Sequence, residues 1–246
     1  MPAALTLTQD QELNAVATFI TGALGSDVEV VIGQTNRVAE PASADYVVMW
    51  PVSRMRLGTN VVMYQDTSFV GSISNGVLSL VEFVREALPL VKGTQLTDVG
   101  GLVTPGTLIV NQLSGPTGGV GNYQVSPVQN VTETTIYAGV RSDLAAFELV
   151  VQADVHGPNS GDNSTILQAL LRSEYGTDAF SASGADVSPL HCDDAKQIPF
   201  INAENQYEDR WVLEMHLQVN PTVMTWQQFA ASIKINLVQA GAVGPI

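Results

Sequence analysis

Gln206-Tyr-Glu-Asp-Arg-Trp-Val-Leu-Glu-Met-His-Leu-Gln-Val219 is the stretch whose reading decides the fold. From Trp211 onward it alternates: Trp211, Leu213, Met215, Leu217 and Val219 fall on one side, Val212, Glu214, His216 and Gln218 on the other. Period 2 over nine residues marks a half-buried β-strand, apolar toward the core and mostly polar outside. Asn220-Pro221 ends it. A core strand this regular needs a partner of the same kind and a layer to cover its apolar side.

The partner is legible upstream. Leu144–His156 alternates again, with Ala145, Phe147, Leu149, Val151, Ala153 and Val155 inward and Glu148, Gln152 and Asp154 outward, and Gly157-Pro158 stops it. The cover comes from two helical patterns. Thr8 with Gln11 three positions on forms a capping box, and Leu13, Val16, Ala17, Ile20 and Leu24 follow at helical spacing. After Gly161, with Asp162 or Ser164 as N-cap, Ile166, Leu167, Leu170 and Leu171 repeat the stripe. Val28–Ile32 reads as a short strand, and Tyr46–Pro51 as a central strand whose continuation Pro51 restricts. Residues 181–206 read as a polar irregular connection, Thr225–Ala231 as a short helical turn and Ile233–Val238 as a last strand. The fold class expected is α+β: a mostly antiparallel sheet with helices on one face.

Between residues 68 and 135 the character changes. Ten of the 21 glycines lie there, with turn signals at Asn75-Gly76, Gly100-Gly101, Pro105-Gly106 and Gly115–Gly121. Short β-type runs at Val77–Val84, Leu108–Leu113 and Tyr123–Val125 separate these turns, the pattern of a small all-β barrel or sandwich. The expected organisation is a discontinuous α+β core, 1–67 and 136–246, carrying an inserted β module, 68–135.

Composition narrows function. The chain has 24 acidic and 10 basic residues, a net charge of −14. Nucleic-acid binders concentrate Lys and Arg against phosphates, so this chain is not expected to grip DNA. Charged residues make up only 14% against 45% hydrophobic, which suits a protomer with much surface covered by partners. The single cysteine, Cys192, excludes an intramolecular disulfide and fits a reducing compartment. No leader and no run of ~18 apolar residues is apparent, so a soluble protein with no membrane partner is expected.

Candidate chemistry is thin. His191-Cys192-Asp193-Asp194 has the residue types of a metal or nucleophile site, yet adjacent residues rarely aim at one ion and no spaced Cys or His pair accompanies them. A structural loop is the plainer reading. His156 and His216 read as surface or interface histidines that only the fold could bring to a common site. Gly115–Gly121 lacks the Lys-Ser/Thr of a phosphate loop. Glu148 and Asp154, six residues apart on one strand and so roughly 20 Å apart, are too distant to share a reaction. No catalytic residue, cofactor or metal is expected.

Five pieces, in order, resemble the neck or tail terminator proteins of contractile-tailed bacteriophages. They are Gln34-Thr-Asn36-Arg37; Asp45-Tyr-Val-Val-Met49 with Arg54-Met-Arg56-Leu-Gly58-Thr-Asn60; Asp154-Val-His-Gly157-Pro158 followed by Asp162-Asn163; Asp193-Asp194; and Gln206–Trp211. Thr104–Gly115 and Gly121–Pro127 resemble a small β module of phage appendages, from which Asn122 and Gln124 depart. Trp50 and Met55 depart from the terminator pattern. The resemblance implies a virion protein, assembled in the host cytoplasm: a ring, expected to be a hexamer, that caps the tail tube and sheath and meets the head connector or collar, with DNA passing through unbound. Another connector ring, a tail tube protein, or a hydrolase built on His191–Asp194 are the alternatives. A ring needs a heterologous interface rich in Arg and aromatic anchors, for which Arg37, Arg54, Arg56, Tyr207, Asp209, Arg210 and Trp211 are the candidates.

Overall fold

The computed structural model describes residues 3–33, 41, 43–201 and 207–226. Its elements open with β1 (Ala4–Leu5), α1 (Gln9–Leu24), β2 (Glu29–Ile32), β3 (Tyr46–Arg56), β4 (Val61–Ser74), β5 (Val77–Arg85), β6 (Leu96–Asp98), β7 (Leu108–Ser114), β8 (Gly121–Ser126) and β9 (Val131–Leu144). β10 (Phe147–His156), α2 (Ser160–Leu171), α3 (Glu174–Ala182), β11 (Val187–Cys192), β12 (Lys196–Gln197), β13 (Phe200–Ile201), β14 (Tyr207–Glu208), β15 (Arg210–Val219) and β16 (Thr222–Trp226) follow. The fold is α+β with mostly antiparallel strands. Among the described residues no helix is long and apolar enough to cross a membrane. The chain divides into two compact units, one built on Ala4–Val62 and Asp143–Val223, the other on Met63–Ser142.

In the first unit the sheet order is β11-β15-β10-β3-β2, with β12 also on β15. The two alternating stretches are central neighbours, in unbroken antiparallel register from Phe147 opposite Val219 to His156 opposite Arg210. The apolar side is as the pattern requires. Leu149, Val151, Ala153, Val155, Leu213, Met215, Leu217 and Val219 are buried with Val16, Phe19 and Ile20 of α1, Leu167 and Leu171 of α2, and Phe180 of α3. Phe180 stacks on Phe19 at 5.4 Å between ring centroids, which ties α3 to α1. α1 begins as expected, with Thr8 and Gln11 exchanging both bonds of the capping box.

Several expectations are corrected. Pro51 does not end its strand: β3 runs on to Arg56, because Pro51 sits at a bulge where Val52 is skipped between the Pro51–Val151 and Ser53–Val150 pairs. A bulge tolerates the missing N–H and reverses which side the following residues face. α2 starts at Ser160, earlier than Asp162 or Ser164 would place it, and its N-cap Asn159 makes no side-chain cap. Instead Asp45 holds Asn159, accepting from its backbone N–H at 2.9 Å and its side-chain amide at 2.8 Å. Gly157 before it has φ 103°, and a Cβ there would lie 2.2 Å from the Ala44 carbonyl oxygen. The 181–206 region is more regular than expected: α3 ends inside it and β11 forms an edge strand bulged after Pro189. Thr225 and Trp226 belong to β16; the rest of the expected helical turn, and Ile233–Val238, lie outside the described residues.

The second unit is a small closed barrel. Strands run β7-β8-β5-β4-β9, β6 joins the far side of β9, and a Gln95–Leu108 bridge returns the circuit to β7. Closure removes the open edges that a sheet of short strands would otherwise present. Phe69, Ile73, Leu78, Leu96, Ile109, Tyr123, Val125 and Ile136 fill its interior. Asn75-Gly76, both at positive φ, turns β4 into β5 as the dipeptide requires. The Gly115–Gly121 loop joins β7 to β8 and is held by Gln112, which donates to Pro116 O at 2.6 Å and accepts from Gly118 N at 2.9 Å. Within it Gly119 N donates to Pro116 O at 2.9 Å, closing a β-turn.

Candidate functional site

The sheet side opposite the helices carries the polar chemistry of the first unit. Register places Glu148, Gln152, Asp154 and His156 of β10 beside Arg210, Glu214, His216 and Gln218 of β15. Tyr46 lies opposite His156 on the other flank. These residues pair in sets. Arg210 bonds the buried Asp154. His156 is buried rather than at the surface: its ring stacks on Tyr46 at 4.6 Å, and its Nδ1 lies 2.9 Å from Glu208, which also accepts from the Tyr46 hydroxyl at 2.8 Å. Glu148 lies 2.6 Å from His216 Nδ1. So Glu148 and Asp154 each serve a separate partner.

The bulge gives Arg54 a different environment. Reversed to the helix side, opposite Leu149, it bonds Glu12 of α1 and lies over the Phe147 ring at 5.8 Å. Glu12 is fully buried, and burial pushes its carboxyl up from the ordinary range despite the opposing pull of Arg54. Arg54 and Arg210 are therefore engaged within the chain. Trp211 is half-buried; the indole nitrogen would lie 3.4 Å from a Cβ placed at Gly161, so it packs at the start of α2. Arg56 bonds Asn60 at the surface. Asp209 and Tyr207 are exposed, Tyr207 to 83%. Arg37 lies outside the described residues.

Cys192 faces the apolar core under the helices, and burial pushes its thiol up to about 12. A thiol so placed stays protonated and is no nucleophile. Asp193 and Asp194 turn back toward the sheet: Asp193 N donates to Glu214 O at 2.9 Å, and Asp194 accepts from Gln168 at 3.0 Å. The four-residue loop is thus divided, Cys192 inward and its neighbours outward. This is why it makes no catalytic unit by itself.

The other conspicuous surface is apolar. Val52, Met55, Leu57, Val61 and Val62 are all exposed, Met55 to 59% and Val61 to 55%, within eleven residues of chain. Contiguous apolar surface of this kind is what protein–protein contacts commonly cover. It was not singled out from the sequence, where Pro51 was read as restricting the strand and the bulge beyond it left no sign of the change of side.

A family model described as "Phage neck terminator protein" matches residues 79–241. The match runs through the Gly-rich block and both central strands. No curated protein matches the chain.

Proposed function

Because the chain belongs to the phage neck terminator family, we propose that it is one protomer of a closed ring, a hexamer, that ends the tail tube and sheath and joins them to the head connector. Family membership makes it a structural protein of the phage neck, carried in the virion and in contact with other tail and head proteins. The observation that supports a ring is the exposed apolar run Val52–Val62. A cyclic interface is heterologous, so one patch must meet a different patch on the next copy. Met, Arg and aromatic residues are enriched in such patches, and here Met55, Arg56 and Tyr207 remain accessible. Arg54 and Arg210 hold the protomer's own fold instead, so reversing the charge of Arg210 would test folding rather than assembly.

In this reading the α+β unit makes the ring, and the inserted β module, 68–135 within the Met63–Ser142 unit, contacts collar or sheath. The protein acts without catalysis. Its acidic character keeps the passing DNA from sticking, since carboxylates repel phosphate. Met55→Glu with Val61→Glu tests the reading. Both sites are already in water, so the variant keeps wild-type circular dichroism and melting while losing ring formation on tail ends. Normal rings and infectious particles from that variant would refute it.

A further inference from the structure

We propose that Asp193, Glu214 and His216 bind a divalent transition-metal ion of the zinc class, with Glu148 orienting His216 and His191 covering the site. Sequence spacing argues against a metal here, because the four adjacent residues of the loop cannot converge. The fold supplies what spacing lacks. β11 lies antiparallel on β15, so His191 is the direct cross-strand partner of His216, and their rings stack at 4.0 Å. The chain then turns so that Asp193 returns over Glu214. One donor atom from each of Asp193, Glu214 and His216 lies within 4.8 Å of the others, and the same holds for Glu148, His191 and His216.

The His216 ring carries the argument. Its Nδ1 lies 2.6 Å from Glu148 Oε1, and a carboxylate can only accept, so Nδ1 bears the hydrogen. In the neutral ring Nε2 is then left with its lone pair. That atom is buried and has no hydrogen-bond partner. It faces Asp193 Oδ1 at 3.6 Å, and His191 Nε2 lies 3.9 Å from the same oxygen. These gaps are too long for hydrogen bonds. They suit two ligands of one ion: donors about 2.1 Å from a tetrahedral zinc stand roughly 3.4 Å apart. A carboxylate on the far nitrogen of a metal-binding histidine is the usual means of fixing its tautomer. The mixed imidazole and carboxylate donors fit zinc, while Cys192 faces the apolar core, away from these donors. Bound there, the ion would clip the edge strand β11 and its following turn to β15. None of its residues belongs to the Val52–Val62 run.

Zinc chloride titrated calorimetrically into the chelator-treated chain tests this. Expected is binding of one equivalent, with a raised melting temperature and, on replacement by cobalt, the intense visible absorption of a four-coordinate ion. Asp193→Asn with Glu214→Gln, changes outside the core, should keep the circular dichroism yet lose both zinc binding and the melting shift. Glu148→Gln should weaken affinity by roughly 10–100-fold. Zinc binding undiminished in the double variant would overturn the site. So would its absence in the wild type, or nitrogen NMR showing both His216 nitrogens protonated beside equimolar zinc.

Discussion

The two sides of the central sheet are built from the same strands and teach opposite lessons. The helix-covered side is apolar along both central strands: Leu149, Val151, Ala153 and Val155 beside Leu213, Met215, Leu217 and Val219. The other side carries Glu148, Gln152, Asp154, Glu214 and His216 among half-buried neighbours. The first is held by area removed from water, which is non-directional and depends on size and packing. The second is held by particular pairs, each costly to break because its members have been drawn out of water. A sheet can be specified by the first side alone; what it meets or binds is written on the second.

Substitutions can break this contrast. The largest effect is expected under the helices: Leu213→Ala or Met215→Ala should cost about 2–5 kcal/mol by lost contact and cavity, read as a lower urea midpoint with unchanged slope. On the opposite side Arg210→Ala strands the buried Asp154 and should cost roughly 3 kcal/mol. There the Arg210→Leu/Asp154→Leu pair should recover most of the loss, since an apolar pair leaves no charge without its partner. No pair of truncations under the helices should recover in that way, so a double-mutant cycle separates the two kinds of face. Thr8→Ala removes the capping box of α1 and should cost about 1 kcal/mol.

The smallest expected effect concerns Glu12, a carboxylate buried on the apolar side. Burial holds its folded carboxyl above the ordinary 4.5, so the folded state keeps that proton more tightly than the unfolded one. This contribution is complete below pH 4.5 and is lost as pH rises through the folded value. Glu12→Gln should therefore flatten the pH dependence of melting, the variant gaining on the wild type as pH rises. An unchanged slope would mean that Arg54 fully offsets burial.

How much of this was written in the sequence follows from the same contrast. Periodicity found β10, β15 and the stripes of α1 and α2, because one face of each element is uniformly apolar. Turn chemistry found the barrel hairpin at Asn75-Gly76. The bulge at Val52 left no signal, since skipping one residue only exchanges which side Arg54 and Met55 face. α3 was hidden by Gly176, Thr177 and Asp178, poor helix formers that Phe180 outweighs by packing on Phe19. β11 was hidden by Pro189. The pairs of the polar side, Arg210 with Asp154 and His216 with Glu148, join residues 56 and 68 positions apart, beyond any local pattern. For the same reason the engagement of Arg54 by Glu12 and of Arg210 by Asp154 left no local signal, while Arg56 stays exposed.

Electron microscopy of intact particles, resolved to side chains at the neck, tests the account most directly. It predicts a closed ring of this chain at the junction of tail and head, with Val52–Val62 of each copy buried against the next. Particles whose neck lacks the chain, or a ring in which that run faces solvent, would contradict it.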